Sequence, residues 1–125
     1  MTSILRYSGV VIKGLQNGRK FGFPTANLHL DDQKMLIEKG VYAIHIFLKN
    51  NTLNGMLYVG TRPTLNLSNI SVEINIFDFN EDIYDEKLSF SVIKKIRDEK
   101  KFENTAALIQ QLKSDQHEAM QILGY

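Results

Sequence analysis

The sequence predicts a mainly β protein, a small closed antiparallel barrel with one α-helix packed against it. Three observations carry that expectation. Runs rich in Val, Ile, Tyr and Phe recur through the first four-fifths of the chain, the last fifth changes to a helical period, and strands do not alternate with helices as a parallel sheet requires. Closing such strands into a barrel removes the unpaired edges that an open sheet would expose.

Strands are expected at about 5–13, 40–49, 52–59, 71–79 and 87–97. In the fourth run, Val72, Ile74 and Ile76 share one face while Glu73, Asn75 and Phe77 share the other. In the fifth, Leu88, Phe90, Val92 and Ile96 lie together. Asn50-Asn51 is a tight-hairpin candidate because Asn tolerates positive φ, and Asn80-Glu81-Asp82 is a second turn candidate. From Asn104 or Thr105, either of which can act as N-cap, a stripe of Leu108, Ile109, Leu112, Ala119, Met120 and Leu123 predicts a helix. Gly124 stands where a helix C-cap belongs.

Composition narrows the function classes. At 125 residues with 43% hydrophobic and 23% charged side chains, the chain is one globular domain, 1–125, rather than a disordered segment. The formal net charge of +1 argues against a nucleic-acid binder, which needs a basic surplus, so no nucleic-acid partner is expected. The absence of cysteine excludes disulfides, thiolate metal sites and thiol nucleophiles, and it fits a reducing cytoplasm. No apolar run approaches the roughly 18 residues of a membrane span, and Met1 to Arg6 lacks the apolar core of a signal peptide. A cytoplasmic location without membrane contact is the expectation. His29, His45 and His117 have no metal-like spacing and read as packed or surface residues.

The segment GLQNGRKFGFPTAN, from Gly14 to Asn27, is the most informative. It holds three of the eight glycines and one of the two prolines. Glycines so spaced allow backbone N–H groups to converge on a phosphate, with Arg19 and Lys20 adding positive charge; a flexible hairpin loop has the same composition. Neither a Walker A loop nor a dinucleotide fingerprint fits, since Lys20 precedes Phe21 and Pro24 disfavours a following helix. Thr25 and Asn27 lie two apart, so extended backbone projects both oxygens to one side. Two neutral oxygens suit Mg²⁺, which takes its other ligands from water and phosphate, although turn capping is the ordinary use of such a pair.

Taken together, Gly14, Gly18, Arg19, Gly22 and the run Phe23-Pro24-Thr25-Ala26-Asn27 resemble the signature of riboflavin kinases, including the C-terminal half of bacterial bifunctional riboflavin kinase/FAD synthetases. Four further stretches match in order. These are Gly40-Val41-Tyr42-Ala43; Gly55 through Val59-Gly60-Thr61-Arg62-Pro63-Thr64; Val72-Glu73-Ile74 through Phe77-Asp78-Phe79 with Asp82-Ile83-Tyr84; and Ile96-Arg97-Asp98-Glu99-Lys100-Lys101-Phe102. The resemblance runs from about Tyr7 to Ala119. Three positions depart from it: Tyr58 replaces a frequent Asn, Asn75 a common His, and Asp85 the Gly after Tyr84, where positive φ would strain an Asp.

The resemblance implies a Greek-key barrel at about 5–97, a flap at about 97–103 and the helix at about 104–123. It also implies transfer of the γ-phosphate of ATP to the ribityl 5′-hydroxyl of riboflavin, giving FMN and ADP. Glu73 would be the catalytic base, where an arbitrary strand Glu reads as a solvated carboxylate. Thr25 and Asn27 would contact Mg²⁺ and the phosphates of ATP. Gly14, Gly18, Arg19, Gly22 and Pro24 would cradle ATP, and Ile76, Asp78 and Tyr84 would lie near the nucleotide. Arg97, Lys100 and Phe102 would form the flap over the flavin, a stretch that otherwise reads as a charged turn before a helix. Partners implied are riboflavin, ATP and an N-terminal FAD synthetase (adenylyltransferase) domain. A flavin- or nucleotide-binding barrel without catalysis is the alternative.

Overall fold

The computed structural model describes residues 6–12, 25–31, 37–61, 70–79 and 81–124. Within them, six strands and a helix follow one another: β1 Arg6–Ile12, β2 Ala26–Leu30, β3 Gly40–Leu48, β4 Asn51–Thr61, β5 Ile70–Ile76, β6 Lys87–Arg97 and α1 Thr105–Ile122. The strands close into an antiparallel barrel in the order β1-β2-β5-β4-β3-β6. Strands β3, β4 and β5 are sequential neighbours and β6 returns beside β3, the Greek-key arrangement.

Alternation fills the barrel. Leu28 and Leu30, Ile44 and Ile46, Leu57 and Val59, Val72 and Ile74, and Leu88 and Phe90 meet inside, with Tyr7 stacked on Phe90 at 5.3 Å between ring centroids. Each large apolar side chain so buried contributes about 1.5–3 kcal/mol. The outer surface carries a second, smaller apolar cluster: Val41, Ala43, Met56 and Phe77 pack with Ala119 of α1, which crosses β3, β4 and β6. The helix therefore covers one side of the barrel, over β3, β4 and β6.

Packing adjusts three expectations. The segment Ala26–Leu30 is a strand, which a five-residue run beside a loop signature concealed. The hairpin turn is Lys49-Asn50, at φ 49° and 69°, not Asn50-Asn51. Ile46 must face Leu53 inside the barrel, and that register pairs Leu48 with Asn51 and puts Lys49 into the left-handed region. Strand β5 ends at Ile76 because the chain turns at Phe77–Asp78, with Asp78 at φ 54°. The expected turn at Asn80-Glu81-Asp82 includes Asn80, outside the described residues; Asp82 Oδ1 accepts from the Tyr84 N–H at 3.0 Å, and Asp85 takes φ 70°, the conformation its replacement of Gly made costly.

The helix follows its signals. The Asn104 side chain accepts from the Ala107 N–H at 2.8 Å, and Gly124 ends the last turn at φ 87°. Among the described residues, no helix is long and apolar enough to cross a membrane.

Candidate functional site

One cross-strand row on the outer barrel wall holds most of the polar chemistry. Asn27 on β2 lies opposite Glu73 on β5, Glu73 opposite Tyr58 on β4, Tyr58 opposite Val41 on β3, and Val41 opposite Arg97 on β6. Directly opposed residues share a face. These five side chains therefore point away from the apolar interior that Leu28, Ile74 and Leu57 fill.

At the uncovered end of the row, Thr25 stands just before β2 and projects to the same side as Asn27. Its Oγ1 donates to Glu73 Oε1 at 3.0 Å. That bond turns the hydroxyl proton toward the carboxylate and leaves oxygen lone pairs to face outward. Asn27 is 4% exposed, and its Nδ2 is buried with no acceptor among the described residues. Leaving such a donor unpaired costs about 1–3 kcal/mol, so the amide calls for an acceptor from beyond the described residues. Hydroxyl, amide and carboxylate oxygens together form a hard donor set that suits Mg²⁺ completed by phosphate oxygens.

At the covered end, Arg97 is held by α1. Its Nε and Nη2 donate to Asp115 Oδ1 and Oδ2 at 2.8 and 2.7 Å, Gln111 Nε2 adds a third bond to Asp115 at 2.9 Å, and Nη1 reaches Asp98 O at 3.1 Å. This bidentate pair ties the start of the flap to the helix. The Arg97 guanidinium lies 5.7 Å and Lys100 Nζ 5.8 Å from the Phe102 ring centroid. Between flap and helix lies an open groove of about 560 Å³, lined by residues that include Lys100, Phe102, Gln111 and Ser114.

The middle of the row joins the two ends. Tyr58 is half-buried, and burial pushes its phenol far above the ordinary tyrosine value; the Asp115 carboxylate adds to the shift, Arg97 opposes it and Glu73 adds a little more. Two residues along β4, Gly60 faces the flap: a Cβ there would stand 2.5 Å from Glu99 Oε2. Gly40 is needed for a similar reason at the end of β3, where φ is 153° and a Cβ would meet Arg97 O at 2.6 Å.

The sequence-predicted residues thus divide. Thr25, Asn27 and Glu73 come together, as do Arg97, Lys100 and Phe102. Ile76 faces the barrel interior, on the face of β5 opposite to Glu73, while Asp78 and Tyr84 lie exposed in the turns after β5. Gly14, Gly18, Arg19, Gly22 and Pro24 lie outside the described residues. Among the described residues no group of three or more His, Asp and Glu side chains clusters, and His45 pairs with Asn54 Oδ1 across β3–β4 at 2.8 Å. Asp115 escaped the sequence reading, although a carboxylate between Leu112 and Ala119 on an apolar stripe signals a buried cationic partner.

Comparisons with known proteins identify the family. The family model described as riboflavin kinase (flavokinase) matches residues 1–123. The bifunctional riboflavin kinase/FMN adenylyltransferase of Bacillus subtilis is 36% identical over 115 residues, which are 90% of this chain and 36% of that protein. The chain therefore spans about a third of that relative's length. Among solved structures, one described as a macrolide-efflux protein from Streptococcus pneumoniae superposes with TM-score 0.84 at 37% identity, covering 90% of this chain and 37% of that one. The riboflavin kinase of Trypanosoma brucei superposes with TM-score 0.65 at 22% identity over 98% of this chain and 81% of that one, a likeness of fold.

Proposed function

The chain belongs to the riboflavin kinase family, and from that premise we propose that it transfers the γ-phosphoryl group of ATP to the ribityl 5′-hydroxyl of riboflavin, yielding FMN and ADP. The observation that carries the reading is the convergence of Thr25, Asn27 and Glu73 on one outer patch, with Thr25 hydrogen-bonded to Glu73 at 3.0 Å.

In this reading Glu73 accepts a hydrogen bond from the ribityl hydroxyl and takes its proton as the new O–P bond forms and the bond from the γ-phosphorus to the bridging oxygen of ADP breaks. A loose transition state asks for alignment more than early deprotonation, so a carboxylate is basic enough. Thr25 and Asn27 supply oxygens to Mg²⁺, and the Asn27 Nδ2–H donates to a phosphate oxygen. Bound Mg²⁺ would neutralise charge on the phosphates. Gly14, Gly18, Arg19, Gly22 and Pro24 would enclose the nucleotide, with Ile76, Asp78 and Tyr84 at its margin.

The flavin ring belongs in the groove between flap and helix, against Phe102, with Lys100 beside it. Arg97 acts there through Phe102 while it anchors the flap to Asp115. Because the chain spans about a third of its bifunctional relatives, we read it as the kinase part of a protein whose other part, an FAD synthetase (adenylyltransferase) domain, would carry FMN on to FAD. A cytoplasmic location follows from that metabolic role.

The test is an assay of this chain with ATP, MgCl₂ and riboflavin, following both products. Equimolar FMN and ADP are expected. Flavin binding without ADP release would overturn the kinase reading in favour of a non-catalytic flavin-binding barrel.

A further inference from the structure

The outer row places Tyr58 between the two halves of the proposed site. It is one strand from Glu73 and two strands from Arg97, about 5 and 10 Å at ordinary strand spacing. A substrate with its reacting hydroxyl at Glu73 and its ring under the flap must lay the connecting chain across β4 at this residue. The flap leans over the same strand, since Glu99 reaches the space above Gly60 on the face that Tyr58 shares.

The phenol itself is underused. Among the described residues the only hydrogen-bond partner of Tyr58 Oη is Met56 Sδ, at 3.9 Å, a weak acceptor for a half-buried hydroxyl. Its surroundings keep it protonated, so it stays a donor throughout the neutral range. The frequent Asn at this position in the family pattern is also a donor, but a shorter one.

We propose that Tyr58 is a specificity-determining residue of the acceptor site, its hydroxyl donating a hydrogen bond to a hydroxyl of the ribityl chain as that chain crosses β4 toward Glu73. The inference deepens the kinase reading and rests on it. Tyr58 selects for a polyol tail: it touches neither the phosphates nor the ring, and its ring meanwhile packs on the apolar cluster beneath α1.

The test is Tyr58→Phe, which keeps that packing and removes only the hydroxyl. The KM for riboflavin, and the Kd from quenching of riboflavin fluorescence, should rise about tenfold, as for loss of one hydrogen bond. The KM for ATP should stay within about twofold and the thermal midpoint should hold or rise, since Met56 Sδ is little loss. An unchanged riboflavin KM, an equal rise in both KM values, or a clear fall in thermal midpoint each overturns the proposal. These outcomes are separate from failure of the kinase reading, which would appear as no ADP release by the unsubstituted chain.

Discussion

Two carboxylates, Asp115 and Glu73, stand near opposite ends of one outer row and differ in how completely they are satisfied. Asp115 is 1% exposed and accepts three hydrogen bonds, two from the Arg97 fork and one from Gln111. Among the described residues, half-buried Glu73 accepts one bond from a neutral hydroxyl, beside an amide whose donor has no acceptor. A buried charge with both oxygens engaged holds elements together. A cluster with unpaired donors costs stability, and it makes physical sense where a ligand completes it. The contrast separates a structural anchor from the patch proposed to be reactive without reference to any relative.

The sharpest way to break the contrast is Glu73→Gln. Shape and the Thr25 bond survive, but the proposed base is lost, so kcat should fall about 10²–10⁴-fold, or roughly 3–5 kcal/mol of barrier. The KM for ATP and the unfolding midpoint should barely move. Full turnover in this variant would remove Glu73 from its role.

Asp115→Ala tests the other end. It strands the Arg97 guanidinium, whose side chain is 17% exposed, and should cost about 3 kcal/mol in urea unfolding. Riboflavin affinity should also drop, because the flap loses its tie to α1. A loss below about 1 kcal/mol would mean that Arg97 finds solvent easily, as surface pairs do.

Asn27→Leu sets function against stability directly. Removing an amide donor that lacks an acceptor among the described residues should leave urea stability equal or higher, while the KM for ATP rises about tenfold or more, the worth of one charge-assisted hydrogen bond. Loss of stability together with unchanged ATP affinity would show that the amide serves the fold.

The smallest effect concerns the exposed pair at the flap base. Lys95 Nζ bonds Asp98 Oδ1 at 2.6 Å and holds that carboxyl below its ordinary value, while the Asp98 and Glu38 bonds raise Lys95. Because the folded pKa of Asp98 is depressed, its contribution is present above the unfolded value and is lost as pH falls through the folded one. Thermal midpoints measured downward from about pH 5 should fall slightly less for Asp98→Asn than for the parent chain, and added salt should erase the difference. A difference that survives 1 M salt would point to a buried interaction instead.

Much of this was legible in the residues. The strand runs and the Gly124 stop were read in place, Asn104 was one of two N-cap candidates, and five ordered motif blocks led to the family that the comparisons establish. Legibility failed where distant partners decide. Strand β2 is too short for its alternation to stand out beside Pro24, and only pairing with β1 and β5 makes it a strand. Tyr58 read only as a departure from the family pattern because nothing local to β4 says that Glu73 and Arg97 lie on its row.

What the amino-acid order determined by itself is periodic or local: which faces are apolar, where the helix starts, and which loop carries the glycines. These depend on neighbours within a turn or a pleat, so one stretch of chain contains all their causes. The tertiary structure alone decided convergence. The bond between Thr25 and Glu73 spans 48 positions and the pair of Arg97 with Asp115 spans 18, and both exist only because closing the barrel sets their strands and helix side by side. Barrel closure is a property of register summed over all six strands, which no single segment encodes.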